Sequence, residues 1–295
     1  MGLFFSSDRF TRPGPGVRPD APRKKGVARL AEIMGRDMWN FFRAGFLAFL
    51  GCLPFIIGMF FAVETHALLF MLLAGIIGGL IAGPELSAMA DTVLRSLRDE
   101  PGYWWETYRR VWKRNARESL VPGMLTGLVL SMQIFTLFHM SVISAGIVTW
   151  VLLILSFMVT LGLESYIWPQ IALLDLPLYG ILKNSLLLFL GYLPRSLGAI
   201  AIKAVYWGAI LLFFPLTTII LPFTNFWLPM LPALLCIYQP LNKCFTIEST
   251  INKMREDELN AALAKDNEPL PEDPAAEAEE TSEEPASDDS SSDAQ

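Results

Sequence analysis

The apolar residues of this chain are gathered into stretches of about 20 with hardly a charge, the length that carries a helix across a ~30 Å hydrocarbon core. That grouping constrains the fold more than any motif. With 53% hydrophobic and only 18% charged residues among 295, the chain has too little charge to solvate the surface of a soluble domain of this size. The expected fold is all-α: an integral membrane helical bundle of about six transmembrane helices, with cytoplasmic interfacial helices. Spans are expected at residues 39–63, 66–90, 119–139, 141–168, 196–221 and 225–245. The first is expected to break near Pro54 and Gly58, and the second to kink near its end at Gly83-Pro84. Residues 27–255 form the membrane domain. Residues 1–26, rich in Pro and Gly and basic, are expected to be disordered, as is the acidic tail 256–295. No short apolar core precedes a small-residue cleavage site, so insertion is expected through the first span.

The net charge of −6 conceals two opposite parts. Residues 266–295 hold twelve acids and no Lys or Arg, which leaves 17 acids against 23 bases in the first 265 residues. Those bases set the orientation. The segment through Arg36 carries eight, and the connection 91–118 carries seven. The turns near Glu64, His139 and Pro222 carry none. Counting six spans, every basic segment falls on one side, so both termini are expected in the cytoplasm.

The segment YWWETYRRVWKRNARE, residues 103–118, is the most informative. At 100° per residue Trp104, Trp105, Tyr108, Val111 and Trp112 gather on one side, and Arg109, Arg110, Lys113, Arg114 and Arg117 on the other. It reads as an interfacial helix, with aromatic rings at headgroup level and cations toward lipid phosphate or a protein partner. Gly75, Gly79 and Gly83 recur at four-residue spacing, and Gly123 and Gly127 match them in the next span. They are candidate helix-packing positions. Glu85, Glu164 and Lys203 are charges inside apolar spans. Either Lys203 pairs with one of the acids inside the bundle, or each side chain snorkels to the interface.

Other chemistry is thin. His66 and His139 fall at outer span ends, with Glu64 near the first, but two histidines and one acid without local spacing do not make a metal motif. No metal and no cofactor is expected. Cys52, Cys236 and Cys244 have no CxxC spacing and are read as small buried hydrophobes. No hydrolase, nucleotide-binding or metalloprotease signature is present, so no enzyme is expected. Nor does a nucleic-acid-binding module surround the basic face.

Two runs carry a family resemblance: IMGRDMWNFFRAGFLAFLGCLPFIIG, and IAGPELSAMADTVLRSLRDEPGYWWETYRRVWKRNARESL. They resemble the YesL-like family of bacterial membrane proteins. The shared features are Trp39-Asn40 opening the first span, Leu-Pro followed by Ile-Gly within it, and Gly83-Pro84 with small residues ending the second. An aromatic-rich helix then closes on a basic–Asn pair, Arg114-Asn115. The likeness extends over about residues 35–245 and is strongest in the first half. The long basic N-terminus, the acidic tail and Ile57 depart from the pattern. The resemblance implies a multi-pass protein with an accessory role in carbohydrate uptake beside sugar ABC-transporter subunits, and it assigns no catalytic or ligand-binding residue. The function expected is a non-enzymatic membrane accessory or interaction protein. The alternative is a small-molecule transporter or channel lined by Glu85, Glu164 and Lys203.

Overall fold

A computed structural model describes residues 23–100, 102–140, 142 and 146–266. Among these residues the structure is all-α, with six helices long and apolar enough to cross a membrane. The six are α1 (Gly26–Thr65), α2 (Leu68–Leu97), α3 (Trp104–Phe138), α4 (Ile147–Leu173), α6 (Leu193–Leu212) and α7 (Leu221–Phe245). A shorter apolar helix, α5 (Leu178–Gly191), lies between α4 and α6, and α8 (Ile247–Asp266) follows α7. The chain divides into two compact units, Met1–Ile247 and Glu248–Gln295.

Several boundaries differ from expectation. At 40 residues α1 is about 60 Å long, twice the hydrocarbon thickness, and it runs through Pro54 without a break. α2 continues through Pro84; its irregularity is instead a π-helical turn at Ala74–Gly78. The segment 103–118 is no separate interfacial helix. It is the first half of α3, whose 35 residues run through Pro122 into the third span. Residues 256–266, expected to be disordered, are helical within α8, where the strong helix formers of ELNAALAK outweigh the charge. The rest of the acidic tail, and residues 1–22, lie outside the described residues.

The helices alternate in direction. Asp37 of α1 meets Ser96 near the end of α2, and Gly58 meets Ala74 near its start. Gly75, Gly79 and Gly83 descend past Gly127, Gly123 and Ser119 of α3. Arg114 at the start of α3 reaches the Ala172 carbonyl at the end of α4, while Gln133 reaches Thr160 (2.7 Å). Ser185 and Phe189 of α5 then climb along Gln170 and Gly162 of α4. α6 returns, with Tyr192 before its start near Cys244 at the end of α7, and Tyr206 against Thr224.

This order overturns the expected position of the last turn. Trp227 stacks on Phe41 and Phe223 on Phe42, each with centroids 5.9 Å apart, so α7 starts beside the basic, N-terminal part of α1. Met230 and Leu234 already line a space with Glu164 and Ser165 of α4, deeper in the bundle. α7 therefore runs parallel to α1. The physical reason is α5: 14 residues span only about 21 Å, too few to register as a crossing by length, yet the helix reverses everything after it. α2, α4 and α7 each contact the other two and form the centre. The buried faces of α2 and α7 contrast with the exposed Leu, Ile and Phe of α1, α6 and the first half of α4. Cys52 fits the expected buried role and Cys236 is half-buried, but Cys244, in the last turn of α7, is exposed.

Candidate functional site

The sequence features converge at the basic end, where the start of α1, the α2–α3 connection and the first half of α3 meet. Asp99 opens that connection in a left-handed conformation (φ 59°) and collects three arginines. Arg29 donates to it at 2.6 Å, Arg23 sits at 3.1 Å, and Arg36 completes the set. Arg29 and Arg36 also cap the carbonyls of Leu97 (3.1 Å) and Ser96 (2.8 Å), so they tie off the end of α2. Burial works against the charge on Asp99, but the hydrogen bonds from Arg36 and Arg29 outweigh it and hold the carboxyl below its ordinary value. Arg98 and Arg95 bind Glu100 from the other side, at 2.8 and 3.2 Å. A small polar cavity of about 50 Å³ lies within this frame, bordered by Asp37, Asn40, Thr92, Arg95 and Trp104.

The aromatic face of residues 103–118 does not face headgroups, as the pattern suggested. Tyr108 and Val111 are buried, Trp104 and Trp112 are partly buried, and Trp105 is exposed. The reason is Glu85, about three turns before the end of α2. Its carboxylate accepts the Tyr108 hydroxyl (2.5 Å) and the Trp112 indole N–H (2.9 Å), so these rings serve an internal acid. Arg43 of α1 lies over the ring of Trp104, with its guanidinium carbon 5.7 Å from the centroid.

With the aromatic side turned inward, the cationic side is presented outward. Arg109, Arg110, Lys113, Arg114 and Arg117 are all exposed. Arg110 pairs with Glu106 at 3.2 Å, and Arg114 donates to Ala172 at 2.7 Å. Arg109, Lys113 and Arg117 have no partner among the described residues.

The three intramembrane charges do not form one group. Glu85 is held by α3. Lys203, buried on α6, lies 3.9 Å from Glu164 of α4. The space beside that pair is only about 10 Å³, bordered by Ser165, Pro169, Met230 and Leu234. Larger hollows, of about 490 Å³ between α3 and α4 and about 510 Å³ between α6 and α7, are apolar and lie on the flanks. The five candidate packing glycines meet one another: a Cβ on Gly75, Gly79 or Gly83 would strike the backbone of α3, and one on Gly123 or Gly127 would strike α2.

One contact escaped the sequence reading. His66 and His139, 73 residues apart, meet with ring nitrogens at 2.7 Å. Their shared place at span ends was legible. Their contact depends on how closely the glycine ladder draws α2 and α3 together beside α1.

No family model, curated protein or solved structure matches the chain. What the chain is at this level is a multi-pass helical protein of membrane type.

Proposed function

We propose that this is a non-enzymatic accessory or interaction protein of the bacterial cell membrane, acting beside the subunits of a sugar ABC transporter in carbohydrate uptake. The observation that carries the reading is the exposed row of five cations on α3, held out from the bilayer on a helix whose other face is locked to α1 and α2. A rigid cationic surface suits an acidic protein face, because little ordering entropy is lost on docking. The YesL-like motifs support the same reading: Trp39-Asn40, Gly83-Pro84 and Arg114-Asn115 all belong to elements that build this end of the bundle. The bases concentrated here support a cytoplasmic position for it. The parallel course of α7 and α1 supports assigning the docking surface to α3 and not to the acidic tail. A transport path draws less support, since Glu85 and the Glu164–Lys203 pair do not share a polar cavity.

The test is affinity purification of the full chain from its native membrane in mild detergent, beside a variant with Arg109, Arg110, Lys113, Arg114 and Arg117 changed to Gln. Transporter subunits should accompany the native chain and be lost from the variant. If neither brings them down, or both do equally, the reading fails.

A further inference from the structure

At the end of the bundle opposite the cations, the two histidines of the chain are brought together by different hairpins. His66 follows α1 in a left-handed turn (φ 54°) and is exposed; His139 caps α3 and is buried. The Nδ1 of His66 lies 2.7 Å from the Nε2 of His139. The other nitrogen of His139, Nδ1, lies 2.7 Å from the Phe135 carbonyl, and the Phe135 ring stacks on the imidazole at 4.0 Å.

These contacts fix the chemistry of the pair. A carbonyl can only accept, so Nδ1 of His139 carries a proton; with that single proton on the ring, Nε2 presents its lone pair. That arrangement, one imidazole nitrogen anchored to a backbone carbonyl and the other left open, is how proteins orient a metal-binding histidine. In the metal-free pair, His66 fills the opening by donating its own Nδ1–H. Moving that proton to Nε2 of His66 frees a lone pair on each facing nitrogen with no net release of protons, and a turn of the His66 ring then lets the two converge.

We infer that His66 and His139 form an open two-imidazole site for a borderline first-row divalent cation, of the copper(II), nickel or zinc class. Neutral imidazole suits these ions, and copper(II) binds such donors most tightly. Metal–nitrogen distances of about 2.0–2.1 Å with tetrahedral angles set the two nitrogens about 3.3 Å apart. From 2.7 Å the pair must open by roughly 0.6 Å, and the His66 ring must turn so that its lone pair leaves the N···N line, which the exposed His66 turn can supply. The described residues hold no group of three or more His, Cys, Asp or Glu placed for a metal, so solvent completes the coordination. Bound metal would clamp the α1–α2 turn to the end of α3.

The experiment uses the full chain in detergent, carrying an affinity tag without histidine, titrated with copper(II) and read by calorimetry and electron paramagnetic resonance. The expected result is one copper per chain with two nitrogen ligands in the spectrum. His66→Gln and His139→Gln should each weaken binding by more than about tenfold. Cys244→Ser, which removes the exposed thiol, should leave binding intact. Because His66 is exposed, His66→Gln decides the matter even if the buried substitution fails to fold. Absence of stoichiometric copper, a spectrum without two nitrogens, or unchanged binding in His66→Gln would overturn the site.

Discussion

Asp99 shows how one carboxylate can organise an end of the bundle. It stands in the left-handed region at a tight exit from α2, and three arginines from the α1 side close on it. Its lowered pKa gives the contribution a definite direction. The stabilisation is present above the unfolded carboxyl value of about 3.9, and it is lost as pH falls through the lower folded value. Thermal unfolding in detergent should show this acid-side loss in the native chain. Asp99→Asn should melt lower near neutral pH, by about 1 kcal/mol given its partial exposure, and lack that part of the pH dependence. Inside the bilayer the costs differ in kind. Tyr108→Phe leaves Glu85 without one of its two donors and should cost about 1–2 kcal/mol. Lys203→Met strands Glu164 beside an apolar wall and should cost more than the double variant Lys203→Met/Glu164→Leu, which removes both charges. If the single change is silent in unfolding measurements, the 3.9 Å pairing carries no weight. The charges themselves were legible as features that need partners. The pairing of Lys203 with Glu164 was one of the two alternatives the sequence offered, but the partners of Glu85 were not legible, because Tyr108 and Trp112 looked like interfacial anchors until α3 proved continuous.

At the scale of elements, the glycine ladder is the feature most open to reading and to test. Four-residue spacing puts Gly75, Gly79 and Gly83 on one stripe, and backbone contact with α3 is the use such a stripe has in lipid, where no hydrophobic force draws helices together. Gly79→Ala should therefore destabilise the protein by about 1–3 kcal/mol, while Gly198→Ala, whose added carbon meets nothing within 4 Å, should be neutral or slightly stabilising. A melting comparison in one detergent decides it. The sequence was misleading where length stood in for topology. The 20-residue rule finds helices that face lipid over their whole length. α5 is short because Pro177 starts it and Tyr192 and Pro194 follow it, and part of its surface is buried against α4. Likewise the amphipathic pattern of residues 103–118 was correct in its angles and wrong in its surroundings. Periodicity tells which side is apolar, but not whether protein or headgroup lies against it.

At the scale of the whole molecule, the two faces are unlike. One end bears the Asp99 cluster and the cationic face of α3. The other bears the short turns, the two histidines and the exit of α7. The charge count that put both termini on one side counts six spans, whereas the contacts of α5 with α4 set α7 parallel to α1. The parallel course of α1 and α7 is thus the claim on which the placement of the two ends of the bundle rests. Cysteine accessibility tests it with a thiol the chain already has. Cys244 is kept in a Cys52→Ser/Cys236→Ser background, and Arg109→Cys is placed in a chain with all three native cysteines changed to Ser. A membrane-impermeant maleimide applied to spheroplasts should label Cys244 and spare the thiol introduced at Arg109, and inside-out vesicles should give the reverse. Labelling of both positions from the same face would contradict the account.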